Sequence, residues 1–353
     1  MKKFMLFAAM ASVVLTSCVN EDMEVMESAS KKAISFDMPV MKPTRAAGEI
    51  DGAVYPTTET FKVFCKSYTG AYTDWTTHAD YFATTGENVA YNGSKWSTAT
   101  VHYWPELGNK LAFAAYSPAD ASGTFAQTQT GLTITGFSTE NNVAYQYDLM
   151  YTPRVVNLDK NDAGSDVPLA FKHALTSVVF KAKKTDADAT YTIKSLTVNG
   201  KVSTTGDFDQ SIPTPAGTDG TATWKNLATA TDMTYSILAD KTIDVAQAGT
   251  NLTGVGSAAG ATTALLLIPQ VVDANTTVTI TYTKTAGGSS LDATATIKLN
   301  NFLDGTAVPA APVTTWAMGH RYIYNITFGA NKPIYFNPTV TDWTDVTLDY
   351  TIQ

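Results

Sequence analysis

Residues 34–45 read ISFDMPVMKPTR. Ile34, Phe36, Met38 and Val40 are apolar at every second position, with Ser35, Asp37 and Pro39 between them. That period predicts a half-buried strand. Pro39 cannot donate to a ladder, which predicts a sheet edge for it. The strand runs into KPTRAAGE, an unpatterned segment rich in small residues, where a backbone is easiest to cut. A second stretch near the other end has the same form: Val346, Leu348, Tyr350 and Ile352 alternate with Thr347, Asp349 and Thr351. The pairing suggests that the first strand can be cut away after Arg45 and replaced by the last strand of another copy. The alternative for the last strand is pairing within its own domain. Four apolar side chains at roughly 1.5–3 kcal/mol each put about 6–12 kcal/mol of burial on such a strand, an upper value. That is comparable to the net stability of a whole domain.

The chain between these strands favours an all-β fold. Only 16% of the 353 residues are charged, and short alternating runs separated by turn residues recur throughout. FKVFCKSY (61–68), KLAFAAYSP (110–118), LTITGF (132–137), TTVTITYTK (276–284) and HRYIYNITF (320–328) read as strands. Asn92-Gly93, Asn199-Gly200 and Ala286-Gly287-Gly288 read as hairpin turns. Residues 206–260 carry few strong patterns. NLDKNDAGSDVP (157–168) reads as a solvated linker between two halves; as a calcium loop it fails, because Ala163 and Ala170 stand at ligand positions.

Thirty-two acidic against 24 basic residues give a net charge of −8, which argues against a nucleic-acid surface. Of the two cysteines, Cys65 lies within a strand pattern and reads as a small core residue. Cys18 follows Lys2, Lys3, an apolar run from Phe4 to Leu15, and Leu15-Thr16-Ser17. The run is too short for a permanent membrane helix. It resembles a lipoprotein signal whose cysteine is acylated (a palmitate-type anchor) after removal of residues 1–17; the alternative is an ordinary signal peptide with an incidental cysteine. Several acyl chains at one terminus anchor stably to a membrane.

His78, His102, His173 and His320 show no metal spacing, and no nucleophile elbow, P-loop or dinucleotide fingerprint occurs. No enzyme and no cofactor beyond the lipid on Cys18 is expected. Trp75, Trp96, Trp104, Tyr68, Tyr72 and Tyr91 lie near predicted turns, where exposed rings could stack on sugars. That is the basis of a second reading, a surface glycan-binding lipoprotein or tip adhesin. The plainer account of these rings is core packing.

Four features together resemble the fimbrillin family, the Mfa-like or FimA-like pilins of Bacteroidetes-type surface fimbriae. They are Cys18 behind its signal, the strand leading to Arg45-Ala46, and LAFKHALTSVVFKA (169–182) with Phe171, His173, Leu175, Val178 and Phe180. The fourth is the closing block with Trp316, Gly319, Tyr322, Tyr324, Ile326, Val340 and Trp343. The resemblance implies two tandem transthyretin-like β-sandwiches, residues 46–168 and 169–353, behind a signal peptide (1–17) and a lipidated tether with a removable leader strand (18–45). It implies outer-membrane and surface localisation in a fimbrium, with a possible role in adhesion to a host or bacterial ligand. It also implies cutting between Arg45 and Ala46 by an arginine-specific protease. Other fimbrial subunits would then bind by donor-strand exchange, the leaving strand carrying Ile34, Phe36, Met38 and Val40 and the donor Val346, Leu348, Tyr350 and Ile352.

Overall fold

A computed structural model describes residues 32–37, 50, 55–162, 165–212, 220–238, 243–253, 264–304, 311–329 and 344–351. Cys18, Met38, Val40, Arg45, Ala46, Val340, Trp343 and Ile352 lie outside the described residues. The protein is built almost wholly of strands, joined by three short 3-10 turns among the described residues.

The first sheet runs Val167–Pro168, Phe36–Asp37, Trp96–Thr98, Glu87–Tyr91, Phe61–Thr69, Asn109–Ser117, Met150–Tyr151, Lys172–His173. Its centre is the antiparallel pair Phe61–Thr69 and Asn109–Ser117, in register from Lys62↔Tyr116 to Thr69↔Asn109. Alternate side chains of this pair serve two cores, as the period of a strand requires. Phe61, Val63, Cys65 and Phe113 face one core with Phe36; Phe64, Tyr68, Ala112 and Tyr116 face another.

A second sheet has the order Thr250–Asn251, Thr176–Lys184, His320–Phe328, Thr344–Thr351, Leu303–Asp304, Ala311–Pro312, and a third runs Thr231–Leu238, Ala189–Val202, Thr277–Ala286, Ser289–Lys298. Val178, Phe180, Tyr324 and Phe328 of the second share a core with Ile193, Leu196, Val278 and Ile280 of the third. The Thr277–Ala286 and Ser289–Lys298 hairpin closes at Gly287 and Gly288, with φ of +55° and +77°. These are the angles that a two-residue turn matching strand twist needs, and only glycine adopts both without strain.

A fourth sheet, Thr221–Lys225, Thr205–Ser211, Leu132–Ser138, Thr124–Gln127, takes two strands from each side of residue 168. Thr205 to Asp209 pair antiparallel with Ser138 to Thr133. Phe137 and Ile134 pack with Phe208, Leu266 and Ile268 in one core. Two halves read from the sequence as tandem units therefore share a sheet.

Several local expectations are corrected. Asn199-Gly200 is no turn; both residues lie inside the 14-residue strand Ala189–Val202, paired on both sides. Glycine stands there because Thr276 packs over it: a Cβ on Gly200 would sit 2.5 Å from Thr276 Oγ1. Asn92-Gly93 is a turn, with φ +99° at Gly93 and the Asn92 side-chain oxygen accepting the Ser94 and Lys95 amides at 3.0 and 2.9 Å. The stretch read as a solvated linker begins inside the strand Val155–Asp159, which pairs with Asn109–Ser117, and ends in Val167–Pro168. The unpatterned stretch 206–260 supplies Thr221–Lys225, Thr231–Leu238 and all but the first residue of Thr205–Ser211.

Candidate functional site: the leader slot

Phe36 is one residue of a two-residue strand, yet it is bonded on both sides. It pairs parallel with Val167 and antiparallel with Trp96. The edge position expected from Pro39 is therefore corrected: Val167–Pro168 is outermost, and the leader lies one strand in. Pro39 itself lies outside the described residues.

Further bonds fix the leader on each side. The Ile34 amide donates to the His102 carbonyl at 2.8 Å, the Trp104 amide to the Lys32 carbonyl at 3.1 Å, and the Val167 amide to the Ser35 carbonyl at 2.8 Å. Ile34 and Phe36 are 3% and 2% exposed. Phe36 meets Phe61 and Phe113 edge-on, with centroids 5.9 and 6.0 Å away and interplanar angles of 87° and 84°. Such T-shaped pairs are the favourable arrangement of two quadrupoles. The leader thus occupies an aromatic slot whose walls are Phe61, Phe113, Trp96 and Trp104, closed by Val167.

One polar contact fastens the outer face. The Ser35 hydroxyl donates to Asp166, and Lys95 Nζ donates to the same carboxylate at 2.8 Å and to Ser35 Oγ at 3.3 Å. Partial burial works against the Asp166 charge, but hydrogen bonds from Lys95 and Ser35 together outweigh it and hold the carboxyl below its ordinary value. Lys95 belongs to the turn after Asn92-Gly93, and Asp166 to the stretch read as a linker. The sequence reading missed both. Their only signal was polarity opposite Ser35, which has no meaning until the strands are paired.

Ile50 and Tyr55 have contacts of their own, and Tyr55 also packs on two walls of the slot, Phe61 and Trp96, with ring centroids 5.7 and 5.2 Å away. The Ile50 amide donates to Asp148 Oδ2 at 3.1 Å, and Tyr55 is 5% exposed and stacked on Phe171, with its hydroxyl 2.7 Å from Ser117 Oγ. Asp148 also meets His173 Nδ1 at 2.8 Å, which gives that histidine a structural partner.

The other arginines are enclosed. Arg154 is 4% exposed, lies 4.8 Å from the Trp75 ring centre, and donates to Tyr72 Oη and to the Gln129 and Thr128 carbonyls. Arg321 is 8% exposed within His320–Phe328. The rings considered for sugar stacking are also enclosed. Trp75, Trp96, Trp104, Tyr68 and Tyr72 are all at most 9% exposed, and Tyr91 packs against the same core as Trp96. Turn proximity misled here because hairpins fold their aromatic residues over the sheet ends. Cys65 is buried, and desolvation pushes its thiol up, away from reactivity.

The terminal strand Thr344–Thr351 pairs parallel with His320–Phe328, with Tyr322↔Val346, Tyr324↔Leu348 and Ile326↔Tyr350, and antiparallel with Leu303–Asp304. Among the described residues no group of three or more His, Cys, Asp or Glu could hold a metal ion.

Comparison with known proteins gives one family: a family model described as fimbrillin-like matches residues 44–343. Among solved structures, a proposed cell adhesion protein from Bacteroides uniformis ATCC 8492 is 17% identical, with TM-score 0.46, over 86% of this chain and 94% of its own. A fimbrial protein from Bacteroides vulgatus ATCC 8482 is 15% identical, with TM-score 0.46, over 83% and 92%. No curated protein matches.

Proposed function

The chain belongs to the fimbrillin-like family, and from that premise we propose that it is a structural subunit of a cell-surface fimbrium that polymerises by exchanging its leader strand. In this reading Cys18 is acylated and carries the protein to the outer membrane, an arginine-specific protease cuts between Arg45 and Ala46, and the Thr344–Thr351 segment of a neighbouring subunit takes the leader's place in the slot.

The observation that carries the reading is the leader's place in the first sheet. It fills a slot between Trp96–Thr98 and Val167–Pro168, bonded to both. An incoming strand would recover the same main-chain bonds, and alternate side chains would set its register. A head-to-tail contact of this kind builds open filaments. Two further features agree. Ile50 and Tyr55 have contacts of their own to Asp148 and Ser117, which do not involve the leader. Arg154 and Arg321, the other two of the three arginines, are buried, which disfavours either as the site of a protease acting on the folded chain.

Cleavage alone does not empty the slot. The leader remains held on both sides by main-chain bonds and by Phe36. Exchange is therefore expected to proceed by displacement, the donor entering as the leader leaves. The donor must also leave its own ladder with His320–Phe328.

The test is brief digestion of residues 19–353 with an arginine-specific protease, followed by mass spectrometry and an unboiled denaturing gel. One cut after Arg45 and a ladder of stable multimers is the expected result. Cutting at Arg154 or Arg321 in the folded chain, or a single cut with no multimers at any concentration, would defeat the reading.

A further inference from the structure

The leader and the terminal strand share more than a period. Residues 34–40 read ISFDMPV and residues 346–352 read VTLDYTI. With Ile34 set on Val346, both are apolar at the first, third, fifth and seventh places. Both also carry a hydroxyl at the second place, Ser35 and Thr347, and an aspartate at the fourth, Asp37 and Asp349. Alternation requires neither of these polar identities.

The slot gives each polar place a reason. Ser35 is 9% exposed; its hydroxyl donates to Asp166 and lies 3.3 Å from Lys95 Nζ. Lys95 is already paired with that carboxylate at 2.8 Å. A small hydroxyl fits this corner, whereas a carboxylate there would set two negative charges on one lysine. The fourth place differs. Asp37 is exposed, and its register partner is the uncharged, exposed Pro168, so an acid is tolerated there.

These two places fix a register. Apolar residues must face inward, so the strand can slip only by even numbers of residues. A slip of two brings Asp345 or Asp349 against Asp166. A slip of four brings Thr351 there and places Tyr350 at Ile34, 3% exposed, where its hydroxyl needs a buried partner. Reversing the strand matches at fewer places. With Thr347 at Ser35 it sets Thr344 at the place of Met38, and with Thr351 there it buries the Tyr350 hydroxyl where Phe36 stands.

We infer that the slot is built for the terminal strand of a second copy of this chain, with Val346, Thr347, Leu348 and Asp349 at the places of Ile34, Ser35, Phe36 and Asp37, and that Lys95 and Asp166 select this register. The inference rests on the strand exchange proposed above and adds to it the partner and the alignment. Such a subunit assembles with itself.

The test cuts residues 19–353 after Arg45 in the presence of excess fluorescent peptide and reads the label that runs with the subunit on an unboiled denaturing gel. The peptides are residues 31–41, the leader itself, and residues 344–353 with their variants. Both natural peptides are expected to enter. Thr347→Asp should weaken entry at least about tenfold, and Thr351→Asp less than about threefold, because only the first faces Asp166. Relative to the natural peptide on the same subunit, the Thr347→Asp loss should shrink to under about threefold on an Asp166→Asn subunit, where the opposing charge is gone. Leu348→Phe, which returns a ring to the place of Phe36, should tighten entry. Full entry of Thr347→Asp, a larger loss from Thr351→Asp, a loss indifferent to Asp166→Asn, or weaker entry of Leu348→Phe would overturn the register. Entry of the leader peptide but not of 344–353 would overturn the second copy as partner and leave strand exchange standing. Entry of neither would defeat strand exchange, and this inference with it.

Discussion

Replacing Phe36 by alanine tests the leader slot at its deepest point. The ring is 2% exposed and packed edge-on against Phe61 and Phe113. A buried Phe→Ala change costs about 3–5 kcal/mol, since the cavity left behind closes only in part. The two aromatic pairs, about 0.5–1.5 kcal/mol each, are included in that figure. The loss should fall on the bonds that hold the leader. Hydrogen exchange of the Ile34, Trp104 and Val167 amides reads those bonds directly. At about 1.4 kcal/mol per decade, their protection should fall roughly 100- to 3,000-fold if they exchange by opening of the slot. The Leu299 amide, bonded to the Thr276 carbonyl in the other core, serves as the reference and should change little. A fall of less than about threefold at the leader amides would show that Phe36 does not hold the strand. An equal fall at Leu299 would show that the slot is not a separate cooperative unit.

Asp166→Asn should remove an acid-labile contribution to leader retention. Because the folded carboxyl lies below its ordinary value of 3.8, its stabilisation is complete above that pH and is lost as pH falls through the lower folded value. Exchange of the Val167 amide at pH 2.5–5 should therefore be flatter in the variant, and identical profiles would refute the contact's role. Tyr235→Phe should raise the melting temperature by a few degrees, because the Tyr235 hydroxyl is buried without a hydrogen-bond partner among the described residues and its loss costs nothing; a drop by calorimetry would mean the hydroxyl is satisfied. Gly200→Ala should destabilise by about 1–3 kcal/mol through overpacking against Thr276, read by urea denaturation, whereas a neutral result would mean that Thr276 moves freely aside.

Alternation was the most legible signal. Ile34 and Phe36 read as inward-facing, and both are buried. The hairpins at Asn92-Gly93 and Gly287-Gly288 were legible because positive φ demands those residues locally. Asn199-Gly200 carries the same letters for a different reason, the bulk of Thr276 far along the chain, and no local rule distinguishes the two cases. The slot was half legible: the strand that fills it has a clear period, but its walls do not. Val167–Pro168 lies in a polar stretch whose pairing with Phe36 is set by the fold alone.

The sheet shared by Leu132–Ser138 and Thr205–Ser211 bears on how a filament of such subunits would carry tension. Pull would enter through the strand held in the first sheet and leave through the strand donated from the second. Between these points the covalent path is the short run from Val167 to Thr176. The shared ladder, with Phe137, Phe208 and Leu266 packed behind it, lies alongside that run as a second mechanical path. Each subunit would then stretch as one stiff link instead of two beads on a hinge, and the weakest element under load would be the exchanged strand itself.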